Sequence, residues 1–119
     1  MSFRQQLEEV CARVEGALGA VIVAEDGIIV DRHAVSEQID LELACAEFAG
    51  AAREVARAAA SVQAGELEEL LVTSGAWLTV LRRVGPGYWL LLFMAPEGLL
   101  GRARYELRRL AHVLAGEFS

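Results

Sequence analysis

Asp31, His33 and Ser36 lie within one short segment and carry the side-chain types of a hydrolytic triad. A serine nucleophile also needs a positioned base and an oxyanion site, and no nucleophile-elbow pattern surrounds Ser36. The three residues therefore read as the polar end of a strand and its loop. Cys11, Cys45, His33 and His112 are the soft and borderline metal ligands of the chain, but they fall on four separate predicted elements with no pair at ligand spacing, so no metal site is expected. Gly85-Pro86-Gly87 is a lone G-x-G between two predicted strands with no helix N-terminus after it. The phosphate-cradling loops of nucleotide-binding folds are absent. The carboxylate pairs Glu8/Glu9 and Glu68/Glu69 have no apolar pocket built around them in the sequence and read as solvated surface. The chain is thus expected to be non-enzymatic, with no catalytic residue, no cofactor and no metal.

Arginine is the one remaining chemical resource. Arg102, Arg104, Arg108 and Arg109 crowd the last predicted helix, where they could grip an acidic partner. The simpler reading is a solvated face that also complements the negative helix C-terminus. The formal charge of −6 and pI near 4.9 exclude a basic nucleic-acid footprint. There is no lysine and no asparagine. Two cysteines are too few for a disulfide scaffold, so both read as small packing residues in a reducing cytoplasm, the expected compartment. The longest uncharged apolar run, Tyr88 to Ala95, falls far short of the ~20 residues of a membrane span, and no secretion signal is expected from the opening residues. Trp77 and Trp89 read as anchors in a core or an interface.

The elements that would position these groups follow from apolar spacing. Phe3, Leu7, Val10 and Val14 form one stripe of a short helix ended by Gly16. Ala17 to Ala24 is an apolar strand, and Asp26-Gly27 turns it into a returning strand from Ile28 to His33. Asp40 is a helix N-cap. The helix of residues 41–63 carries the stripe Leu41, Cys45, Phe48, Ala52, Val55, Ala59 and Val62, which should lie on the sheet, and Gly65 caps it. Strands follow at Leu67 to Ser74, Ala76 to Val84 and Tyr88 to Ala95. The last of these does not alternate, so it should be covered on both faces. Leu100, Ala103, Leu107, Leu110 and Leu114 form the stripe of a closing helix at 99–117. Residues 1–119 read as one α/β (α+β) domain ordered α-β-β-α-β-β-β-α. The expected fold is a three-layer α-β-α sandwich around a five-stranded antiparallel sheet, with the long helix on one face and the two terminal helices on the other.

Hydrophobic residues make up 55% of the chain, before its 11 glycines are added. A soluble domain holds about 45–50% with glycine included. The surplus points to a second buried surface. Both flanks of the long helix are rich in alanine, including Ala46, Ala49, Ala56 and Ala60 beside Arg53. Small residues let another helix approach closely, although helix propensity alone would also favour them. Leu70, Leu71 and Val72 would form a pairing template if their strand lies at a sheet edge. Two copies joined across that edge, with their alanine-rich helices meeting above it, would bury both surfaces in a two-fold dimer. Leu43 points away from the core stripe.

The element order, the Gly19-to-Val30 hairpin with its Asp26-Gly27 turn, the alanine-rich middle helix and the closing Gly101-x-Ala103-x-x-x-Leu107-x-x-Leu110 segment together resemble the Roadblock/dynein light chain family. The resemblance spans nearly the whole chain. It implies a profilin-like sandwich that dimerises through the middle helix and third strand. The interface would then hold Ala46, Ala49, Arg53, Ala56, Ala60, Leu70, Leu71 and Val72. MglB-like bacterial members regulate Ras-like small GTPases by rearranging the GTPase's own switch loops. The resemblance therefore implies a Ras-like GTPase as partner, met by the outer ridge at Leu43, Gly50 and Arg57, with neither Arg53 nor Arg57 acting as an arginine finger. It equally admits a structural dimeric adaptor, as in dynein light chains. A small-ligand sensor on the same sandwich would need a pocket of a few hundred Å³ between sheet and helix. The sequence closes with the last helix, so activity that depends on a C-terminal extension is not expected.

Overall fold

The computed structural model describes residues 2–118. Helix α1 (Phe3–Arg13) starts from Ser2, whose hydroxyl accepts from the Gln5 amide while the Gln5 side chain accepts from the Ser2 amide. This reciprocal pair satisfies two amides that the first turn leaves without helical partners. Strands β1 (Ala17–Ala24) and β2 (Ile29–Ala34) form the expected hairpin. Its Gly27 has φ +92°, and a Cβ there would lie 3.0 Å from the Ala46 backbone. The turn thus needs glycine twice, for its backbone conformation and for its close approach to the next helix.

That helix, α2 (Leu41–Ser61), is capped by the Asp40 carboxylate on the Leu43 amide at 3.2 Å. Its C-terminus departs from expectation. Gln63, not Gly65, takes the first left-handed position, with φ 60°. The amide of Gln63 donates to the Ala60 carbonyl and that of Ala64 to the Ala59 carbonyl, which is the paired closure of a Schellman motif. Gly65 follows two residues later, also left-handed.

Strands β3 (Glu69–Thr73), β4 (Leu78–Val84) and β5 (Tyr88–Met94) complete one antiparallel sheet of order β2-β1-β5-β4-β3. The unalternating strand β5 lies at its centre. Leu90, Leu92 and Met94 point into the core shared with α1 and α3 (Leu100–Leu114), while Trp89, Leu91 and Phe93 point into the core under α2. The three-layer sandwich is as expected. Cys11 and Cys45 lie in opposite cores.

The apolar stripe of α2 is buried only in its first half. Leu41, Cys45 and Ala52 are covered, together with Ala44 and Ala49, but Val55 is 38% and Val62 75% exposed. The second half of the helix stands off the sheet across a gap lined by Ala52, Ala56, Arg83 and Trp89, and the stripe is only partly covered there.

The layer of terminal helices is tied by one carboxylate. Glu106 of α3 is 2% exposed and faces Arg13 at 3.5 Å, Arg102 at 3.6 Å and Arg109 at 3.3 Å. Removing it would leave three guanidiniums without their shared acceptor. Because each of them also reaches water, the loss should fall short of that for a sealed ion pair. Glu106→Ala should lower the unfolding free energy by about 1–3 kcal/mol in urea titrations. Glu106→Gln, which keeps an acceptor oxygen, should lose less.

Candidate protein interface

The residues expected to meet a second copy fall into two groups. On α2, Ala46, Arg53 and Ala60 are exposed and Ala56 is half-buried. Ala49 is different: it is fully buried within the single chain and has no surface left to offer. The buried face of α2 takes in Leu41, Ala44, Cys45, Ala49 and Ala52. Leu43 is 59% exposed, Arg57 is exposed and Gly50 half-buried. Gly50 lies beside Arg53, whose guanidinium is 3.7 Å from where a Cβ would stand.

On the sheet, β3 is an edge strand. The Arg83 amide donates to the Glu68 carbonyl at 2.9 Å. Antiparallel pairing alternates, so Leu70 and Val72 bond toward β4 while the backbones of Glu69, Leu71 and Thr73 face outward. The Leu70 side chain packs in the α2 core, and Leu71 is 39% exposed. This is an unpaired, apolar strand edge.

Two side chains, Glu69 and Arg83, brace this edge, and sequence reasoning missed what they do. Glu69, expected to be solvated, is mostly buried and joins Arg82 of β4 at 3.4 Å to Arg104 of α3 at 2.6 Å. Arg83 lies over the Trp89 ring at 4.4 Å, donates to the Leu67 carbonyl at 2.8 Å and pairs with Glu25 at 2.9 Å. One guanidinium thereby fastens the β1–β2 turn, the connection into β3 and the central strand. The signal for Glu106 was present in the sequence, as the single acid of α3 with arginines at −4 and +3. Nothing local marked Glu69 or Arg83, whose partners are distant in sequence.

A gap of about 370 Å³ opens where α2 leaves the sheet, lined by Ala52, Arg53, Ala56, Arg57, Arg83 and Trp89 together with Glu25. It is large enough for the ligand that a sensor would take. Its polar groups are already engaged elsewhere: Arg83 with Glu25, Arg57 with Glu54 at 3.0 Å, and Arg53 with the Glu25 carbonyl. The residues of a triad are likewise separated. Asp31 accepts from Arg4, the His33 ring lies 4.0 Å from Glu8, and Ser36 donates to Gln38. Among the described residues no three His, Cys, Asp or Glu side chains come together as a metal site, and no helix is long and apolar enough to cross a membrane.

No protein-family model matches the sequence, and no curated sequence matches it. Solved structures do. MglC from Myxococcus xanthus shares 38% identity over 99% of this chain and 100% of that one, with a TM-score of 0.71. A Roadblock/LC7 domain from Streptomyces avermitilis superposes with a TM-score of 0.88 at 17% identity, covering 98% of each chain. The gliding protein MglB from Thermus thermophilus gives 0.85 at 18% identity, covering 93% of this chain and 84% of that one.

Burial raises both thiols, Cys11 and Cys45, from 9.0 to about 12. They therefore stay protonated and unreactive at neutral pH. Iodoacetamide should leave the native protein unmodified for hours at pH 7.5 and label both cysteines once urea unfolds it, as read by mass spectrometry. Because the folded value is the higher one, this contribution to stability is complete below about pH 9 and should decline as pH rises toward 12.

Proposed function

The chain belongs to the Roadblock/MglB-like family, and from that membership we propose that it is a non-enzymatic homodimer that binds a Ras-like small GTPase and modulates its hydrolysis cycle. One observation carries the reading: the partly covered second half of α2 and the unpaired edge of β3 are two apolar surfaces that a single copy leaves open. Two copies related by a two-fold axis can join their β3 edges through the outward backbone of Glu69, Leu71 and Thr73. The sheet then continues through both protomers. Helix–helix contact would fall to Ala46, Arg53, Ala56 and Ala60, without Ala49. Leu43, Gly50 and Arg57 are left for the GTPase. Regulation by such a surface acts through the GTPase's own loops, since the dimer brings positioned side chains and no nucleophile.

A second reading is a dimeric adaptor that tethers other proteins. Identity is 38% with an MglC and 18% with an MglB, so the likeness to MglB is one of fold. Turnover separates the two. A Ras-like GTPase from the same genome should hydrolyse or exchange nucleotide at a changed rate when this protein is in excess. Leu43→Asp and Arg57→Ala should reduce the effect while leaving the sedimentation mass unchanged. A complex with unaltered turnover would favour the adaptor, and absence of any complex would overturn the GTPase reading.

Dimerisation has its own test. Leu71 presents its amide outward, so proline there removes an edge donor without breaking a bond to β4. Leu71→Pro should sediment as a monomer at concentrations where the parent chain is a dimer. A parent chain that is monomeric throughout would refute the β3 pairing.

A further inference from the structure

Among the described residues, every arginine but one bonds or pairs with a group of its own chain. The exception is Arg108, exposed on the outer face of α3. It stands too far back to complement the negative end of that helix, which closes at Leu114, because that field is confined to the last turn. The side chains around it are of the same sign. Helix α3 turns Leu107, Leu110 and Leu114 into the core and leaves Arg102, Arg104, Arg108 and His112 exposed, while its single acid, Glu106, is buried. Glu106 is shared among three guanidiniums and Glu69 between two. Even with Glu9 set against Arg13, this side of the molecule keeps positive charge in excess, in a chain whose net charge is −6.

The excess surrounds a groove. Tyr105 and Val113, 56% and 52% exposed, stand about two turns apart on α3 with Arg108, Arg109 and His112 between them, and together they line an open concavity of about 460 Å³. Residues three and four apart are neighbours on a helix, so Arg108 and Arg109 flank the Tyr105 ring and Arg109 also lies beside Val113. Apolar contact and fork-shaped donors are thus offered at one place. A carboxylate next to an apolar side chain satisfies both. A bilayer does not, because an interfacial helix lays a continuous apolar face among the headgroups, and the apolar face of α3 is already in the core. The groove faces away from the sheet, so it is open whether or not β3 pairs.

We propose that this groove of α3 is a docking site for an acidic segment of a partner protein, one in which carboxylates flank an apolar side chain. A carboxylate of the segment pairs with the Arg108 guanidinium, and the apolar side chain lies between Tyr105 and Val113. Arg108 suits the role because it exchanges water for the incoming acid without breaking a pair inside its own chain. Arg109 remains on Glu106 at 3.3 Å, and its charge is only partly offset there because Glu106 serves three guanidiniums. The rest of the acidic chain repels the same segment, so charge directs it to this face.

A fluorescein-labelled peptide of repeated Glu-Glu-Leu units serves as the probe, read by fluorescence anisotropy. It should bind saturably and more weakly as salt rises, and its Gln-Gln-Leu counterpart should not bind. Arg108→Glu should weaken binding by about tenfold or more, and Tyr105→Ala by about threefold or more. Arg108→Lys, which keeps the charge without the fork, should fall between the parent and Arg108→Glu. Arg4→Glu makes the same change of net charge on α1 and should bind as the parent does. The readout involves neither a GTPase nor a dimer, so it holds or fails apart from both. The proposal is overturned if the parent does not bind the peptide, if Arg4→Glu weakens binding as much as Arg108→Glu, or if Tyr105→Ala leaves it unchanged. Binding to vesicles of phosphatidylglycerol and phosphatidylcholine in place of the peptide would also overturn it. If Arg108→Glu loses the parent's far-UV circular dichroism, Arg108→Gln decides instead: weakened binding supports the site and unchanged binding overturns it.

Discussion

Strand β5 has no face that water can reach, and the rest of the molecule is arranged to keep it so. Trp89, Leu91 and Phe93 on one side and Leu90, Leu92 and Met94 on the other are all buried. A strand of this kind must sit between neighbours within the sheet and between helices above and below it. The hairpin of β1 and β2 supplies one flank and β4 with β3 the other, while α2 closes one face and α1 with α3 the opposite face. The outer strands are consequently single-sided and short. Whatever interaction the protein undertakes through its sheet must take place at β2 or β3, since these alone have free backbone.

Much of this was legible in the residue pattern because it is local or periodic. The Asp26-Gly27 turn, the Asp40 cap and the stripe from Leu100 to Leu114 are each set by neighbours a few positions away, and each lies where the spacing puts it. The misreadings share a different cause. Val55, Ala59 and Val62 continue the α2 stripe in sequence, but periodicity carries no information about where the helix lifts off the sheet beneath it. Ala49 sits on an alanine-rich flank that looked free, yet it is fully buried within the single chain. Gln63 takes a backbone conformation usually given to glycine, because the two hydrogen bonds of the helix end over-determine it.

The candidate interface was legible as a surplus and illegible in its detail. An excess of apolar residues led to the expectation of a second covered surface, and β3, which carries Leu70 to Val72, is an edge strand. The ionic side chains that shape the surface could not be read, since Glu69, Arg83 and Asp31 find partners far away in the chain or in the backbone. Charged groups are the least predictable part of a sequence for this reason. Their roles depend on geometry that the apolar core creates first.

Arg83 shows what that geometry accomplishes. By stacking on Trp89 while holding Leu67 and Glu25, it fixes the segment that leads into β3 to the rigid centre of the sheet. Glu69 then ties the strand itself to β4 and to α3. An edge strand left to itself would be among the most mobile parts of a small sheet, and ordering it on encounter would weaken association. Here the strand is fastened by contacts within its own chain, so the entropy of ordering it is borne by folding and would not fall on an association through this edge.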